Sequence, residues 1–170
     1  MDQNKTRLQT LSLPLKVLIT CFVGTLLLGY VAALLQVFDR THFDMAHTLL
    51  YYRGAETGAG TGEDAGLMLP PSFKTLLSVT HVHSLSQPVM FGLLGFLFTL
   101  SMVTDAAKVI FILLPFIGSV VSNLSPWLIR FGTKGMVILL PLSQLAMTSG
   151  FFVMSFVVLY DLWFRKEEMF

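Results

Sequence analysis

The sequence predicts an all-α fold, a single integral membrane domain over residues 1–170 built as a bundle of four transmembrane helices. Composition, apolar runs of bilayer length and one glycine-rich break carry that prediction. Apolar side chains make up 54% of the chain and charged ones only 12%, against roughly a quarter charged in soluble domains. Mean hydropathy is +0.73. A soluble domain of this size still leaves about 30% of its unfolded-chain surface in water, so the apolar surplus here is expected to face lipid.

The first apolar run covers 13–37, with Lys5, Arg7 and Lys16 before or within it. A signal peptide begins in the same way, and Val31-Ala32-Ala33 has the small residues of a cleavage site. The run is nevertheless long enough to span a bilayer and Met1 is present, so a retained anchor is expected.

Residues 38–72 form the expected outer loop. Within it, 54–66 reads Gly-Ala-Glu-Thr-Gly-Ala-Gly-Thr-Gly-Glu-Asp-Ala-Gly, with no apolar periodicity and nothing to pack. The segment 40–53 has the composition of a short surface helix that places Phe43, Ala46, His47 and Leu50 on one face.

The remaining runs cover 73–103, 108–121 and 136–164. Each is expected to be helical because a helix alone satisfies its own backbone in lipid. Pro88, Pro115 and Pro141 fall inside the second, third and fourth runs and are expected to kink them. The third run is the shortest and ends at Ser-Asn-Leu-Ser-Pro, so half of a re-entrant hairpin is the alternative there. Thr104 or Asp105 stands where a cap for the third helix is needed. Gly92 and Gly95, then Gly118, Ser119 and Ser122, then Ser143, Ala146, Ser149 and Gly150 are the places where helices can approach closely.

Four spans put both termini on one side of the bilayer. That side holds Lys5, Arg7, Lys16, Lys108, Arg165 and Lys166; the other holds Arg40, Arg53, Lys74, Arg130 and Lys134. The positive-inside rule then favours cytoplasmic termini by a small margin, in a bacterial inner membrane. Asp161, beside Tyr160 and Trp163, is expected at the inner interface.

All four histidines, His42, His47, His81 and His83, lie between the end of the first run and the start of the second. That clustering points to a site for a haem or a transition metal at the outer face. His42, His47, His81 and His83 are the candidate metal ligands, and His81 with His83 the candidate cofactor-binding pair. The alternative is that they are amphipathic interfacial side chains. On a helix His42 and His47 stand about 140° apart and His81 and His83 about 200° apart, so neither pair makes an i, i+4 metal motif. Gln87, one turn below His83, is a candidate to orient it.

A net charge of +1 offers no field for nucleic acid, and the single cysteine, Cys21, excludes an internal disulfide or a cysteine metal cluster. No nucleophile motif, phosphate loop or intramembrane carboxylate pair suggests catalysis. The expectation is therefore a small, non-enzymatic membrane subunit of a respiratory or electron-transfer assembly. It would contact lipid and other membrane subunits and carry a histidine cofactor site at the outer face. The alternative is a structural or assembly subunit without cofactor.

Overall fold

The computed structural model describes residues 7–54 and 69–165. Met1, Lys5, Lys166 and nearly all of the 54–66 stretch lie outside them. Among the described residues there is no strand. The elements are α1 (Leu13–Thr41), α2 (Met45–Arg53), α3 (Phe73–Thr99), α4 (Asp105–Phe131) and α5 (Leu139–Trp163), with 3-10 turns at Leu8–Thr10 and Lys134–Ile138. Four of the helices are long and apolar enough to cross a membrane, α5 together with the 3-10 turn that leads into it. Even the shortest, α5 with 25 residues, reaches about 38 Å at 1.5 Å per residue, beyond the ~30 Å of hydrocarbon.

The helix ends follow local chemistry. α1 starts behind Ser12 with Pro14 in its first turn, where proline's missing N–H costs nothing. It runs four residues past 37, because Phe38-Asp39-Arg40-Thr41 contains no breaker and a helix need not stop where hydropathy does. It stops at His42, which takes the left-handed conformation (φ 48°) and donates its N–H to the Phe38 carbonyl. α3 follows Pro70-Pro71, and the Ser72 hydroxyl accepts the Thr75 N–H at 3.1 Å. α3 ends at Thr99 and not at 103: the Met102 N–H goes to Asp161 Oδ2 at 2.7 Å, outside any helical ladder.

The third span differs most from the sequence expectation. α4 continues ten residues beyond 121 to Phe131, so it is a full-length helix and not a short or re-entrant one. Its Ser-Asn-Leu-Ser-Pro segment stays helical because the polar side chains find partners: Ser125 Oγ bonds the Val121 carbonyl, and Asn123 bonds the Ser119 carbonyl and Gln87. Pro126 joins Pro115 as an interior proline of α4. Pro141, expected to kink the fourth span, is instead the third residue of α5, in the first turn where proline is tolerated.

The main core gathers Ile19, Val23 and Tyr30 of α1, Phe91, Leu94 and Phe98 of α3, and Met147, Phe151, Met154 and Val158 of α5. Tyr30 stacks on Phe151 with ring centroids 4.2 Å apart, and its hydroxyl hydrogen-bonds Thr148. α4 and α5 come closest: a Cβ on Gly118 would lie 2.9 Å from the Ser143 carbonyl oxygen, and one on Gly150 would lie 2.6 Å from Pro115 Cδ. These are among the small residues at which close approach was expected. A second, smaller cluster, Ile129, Val137 and Leu140 with Leu49 and Tyr52, joins α2 to the far ends of α4 and α5.

The apolar core is concentrated toward the end of the bundle where α1 starts and α3 and α5 finish. The α2 end is more polar, and the candidate sites lie there.

Candidate functional site

The chain reverses between α1 and α2 through two consecutive non-glycine residues at positive φ, His42 (48°) and Phe43 (54°). Such a pair is strained in L-residues. What holds it is a dense set of local bonds. Thr41 Oγ accepts the Phe43 N–H, the Asp44 N–H reaches the Thr41 carbonyl, and Asp44 Oδ2 caps α2 by accepting the His47 N–H at 3.0 Å. Those bonds from His47, backbone first and then side chain, hold the Asp44 carboxyl below the usual carboxylate range.

This corner brings His42 and His47 together, with ring centroids 4.8 Å apart. Both side chains are exposed. His47 Nδ1 lies 3.2 Å from Asp44 Oδ2; a carboxylate on Nδ1 is the usual way of leaving Nε2 as the outward ligand atom. Phe38 flanks the pair, with its centroid 5.6 Å from the His42 ring. The two histidines do not share a helix, so the 140° separation expected on one helical wheel does not apply. Of the face expected for this segment, only Leu50 is buried, with Thr48 beside it, whereas Phe43, Ala46 and His47 are exposed. α2 turns the side that carries Tyr52 inward, and burial, with Tyr51 adding to it, pushes the Tyr52 hydroxyl up to about 12.

His81 and His83 are elsewhere. His81 is exposed on α3 and lines neither of the two clefts that Arg40 borders. His83 lines a cleft of 290 Å³ between α1 and α3, which it shares with Arg40, Gln87, Ser122 and Gln144. A smaller cleft of 100 Å³ on the α2 side also touches Arg40 and His83. Among the described residues, no three His, Cys, Asp or Glu side chains stand close enough to hold a metal ion.

Gln87, expected to orient His83, turns to α4, where its Oε1 accepts from Ser119 Oγ (2.6 Å) and Asn123 Nδ2 (2.9 Å). Gln144 Nε2 donates to Ser122 Oγ at 3.2 Å. These bonds tie α3, α4 and α5 together at the floor of the larger cleft. Arg53 caps the far end of α4, with Nε on the Ile129 carbonyl at 2.6 Å and Nη2 on the Gly132 carbonyl. A cation there also suits the negative end of the helix dipole.

Two contributors were not singled out from sequence. Asp44 had a readable signal, a carboxylate three residues before His47 at a helix start. Arg40 had a weaker one, as the first cation after the first apolar run.

A family model described as a transmembrane helical domain matches residues 42–169. The chain belongs to this family, Aq_1264_TM. The Aq_1264_TM segment begins at the α1–α2 corner and contains all four histidines, while α1 and Arg40 precede it. No curated protein and no solved structure matches the chain. With four bilayer-length apolar helices and an Aq_1264_TM domain, the protein is an integral membrane protein in contact with lipid.

Proposed function

We propose that the chain is a small, non-catalytic subunit of a respiratory or electron-transfer assembly. In this reading it contributes His42 and His47 to a transition-metal or haem site completed by a neighbouring subunit. The observation that carries the reading is the 4.8 Å approach of the two exposed rings, with Asp44 against Nδ1 of His47. Two imidazoles are fewer than the four ligands a zinc centre takes or the donors other transition metals gather, so a neighbour must supply the rest. His81 and His83 enter only if the partner approaches α3 as well. Both termini are cytoplasmic in this reading, supported by the small excess of Lys and Arg on their side, and the membrane it takes is a bacterial inner membrane.

Metal and haem content of the assembly purified from native membranes tests the reading. His42→Ala or His47→Ala should remove the bound group while the helices still insert, because insertion follows apolar length. Loss with His81→Ala or His83→Ala alone would move the site to α3. An assembly without metal or haem, forming normally with all four histidines replaced, would leave a structural or assembly subunit. Orientation is tested by single cysteines at 55–66 in a background lacking Cys21; labelling by an impermeant reagent only from the cytoplasmic face overturns it.

A further inference from the structure

The cleft between α1 and α3 is unlike the rest of the bundle. Residues 25–40 of α1 line it, about 22 Å of helix, which exceeds the ~15 Å half-thickness of the hydrocarbon layer. Leu26 and Leu34 of α1, Met90 of α3 and Met147 of α5 give it an apolar side, while Gln36, Ser86 and Ser122 join Arg40 and His83 among its polar lining. Gly29 sits in the wall with no atom within 4 Å of where its Cβ would be, so the groove is open there and this chain's own side chains leave it unfilled.

At one end of the groove stand Arg40 and His83. Arg40 makes no hydrogen bond or ion pair among the described residues, whereas Arg53, at the same end, is spent on α4 carbonyls. Asp39 is exposed and about 100° further round α1. Counting ~20 residues along α3 from its Thr99 end reaches Thr80, which puts His83 about one turn inside the hydrocarbon boundary and Arg40, at the end of α1 and lining the same cleft, beside it. On the floor, Gln87 Oε1 is taken by Ser119 and Asn123 and Gln144 Nε2 by Ser122, so these groups are oriented toward α4 and away from the Arg40 end. A cation at the α2 end of a groove whose deeper side is apolar suits a molecule with a phosphate head and an apolar tail. We propose that the cleft binds an anionic phospholipid, its phosphate on Arg40 and His83 and one acyl chain between α1 and α3.

The full chain in detergent, titrated with phosphatidylglycerol and separately with phosphatidylcholine and followed by native mass spectrometry, tests this. One phosphatidylglycerol should bind saturably, about fivefold tighter than phosphatidylcholine, whose choline cation offsets the phosphate charge that Arg40 meets. Arg40→Gln should bring the two lipids level and Arg40→Lys should keep the preference. Lys74→Gln, also exposed at this end, should change it less than about twofold, because Lys74 lies outside the cleft. Gly29→Leu fills the groove without touching the charge and should weaken both lipids, which keeps the proposal testable if Arg40→Gln fails to fold. Equal binding of the two lipids, or equal losses in Arg40→Gln and Lys74→Gln, would overturn it. So would displacement of the lipid by millimolar glycerol phosphate, which assigns the site to a soluble anion.

Discussion

The ring of Pro115 in α4 fills the notch that Gly150 leaves in α5, so closely that a Cβ on Gly150 would stand 2.6 Å from Pro115 Cδ. Proline rings and helix backbones are stiff, so the contact cannot relax by a rotamer change. Gly150→Ala is expected to force the helices apart and cost about 1–3 kcal/mol. Gly118→Ala, meeting the Ser143 carbonyl, should behave alike. Gly92→Ala, with nothing within 4 Å, is the neutral comparison. Thermal unfolding of the three variants in one detergent checks the order.

Asp161 is 1% exposed and serves two donors, the Met102 N–H through Oδ2 and Arg165 Nη1 through Oδ1. Its work is to hold the α3–α4 turn against the end of α5, a task Thr104 does not perform with its own side chain. Asp161→Ala strands a backbone donor and should cost about 1–3 kcal/mol. Asp161→Asn keeps one acceptor and should cost less. Hydrogen exchange at Met102 should quicken in both, more in the alanine variant.

Arg53 reaches from α2 to two carbonyls at the end of α4. Lysine offers one compact ammonium where arginine offers a planar fork, so Arg53→Lys should recover only part of the contact. Arg53→Ala is expected to lose about 1–2 kcal/mol and to fray residues 128–132. Exchange rates of those amides, compared with residues 109–120 of the same helix, provide the measurement.

Acid should loosen the α1–α2 corner through Asp44. Its carboxyl is held below the usual range in the folded chain, so its contribution is complete above the ordinary carboxylate pKa. That contribution is lost as pH falls through the lower, folded value. Cα chemical shifts of residues 45–49, followed from neutral to acid pH, should move toward coil only below the ordinary carboxylate range. Asparagine also caps helices, so Asp44→Asn should keep the helix and remove this transition.

Hydropathy made the four spans legible, because the cost of unsatisfied backbone in lipid leaves little choice of fold. The span starting at residue 73 even begins where the run of apolar residues begins. What hydropathy could not read was the second half of α4. Ser122, Asn123, Ser125 and Pro126 look like a break until Gln87, Gln144 and the Val121 carbonyl are seen to satisfy them, and those partners come partly from other helices. The histidines show the same limit from the other side. Helical geometry held His42 and His47 apart, whereas two left-handed residues, invisible in composition, fold one ring beside the other. For Gln87, spacing pointed along its own helix, yet the competing hydroxyl and amide of α4 claimed it.

The Tyr30–Phe151 stack has a mechanical consequence. α4 and α5 touch at backbone level through Gly118 and Gly150 and behave as one plank, while α1 leans on α5 chiefly through Tyr30 and the side chains below it. The open groove runs beside α1 from Thr25 to Arg40, past that stack, and above Tyr30 it is Leu34 that packs against the core, only partly buried. The packing predicts that the upper half of α1 swings about Tyr30, a motion that relaxation dispersion at α1 amides would detect. Collective helix motions of this sort fall on the microsecond to millisecond scale. In such a swing the stack would be the fulcrum and the width of the groove the coordinate that changes.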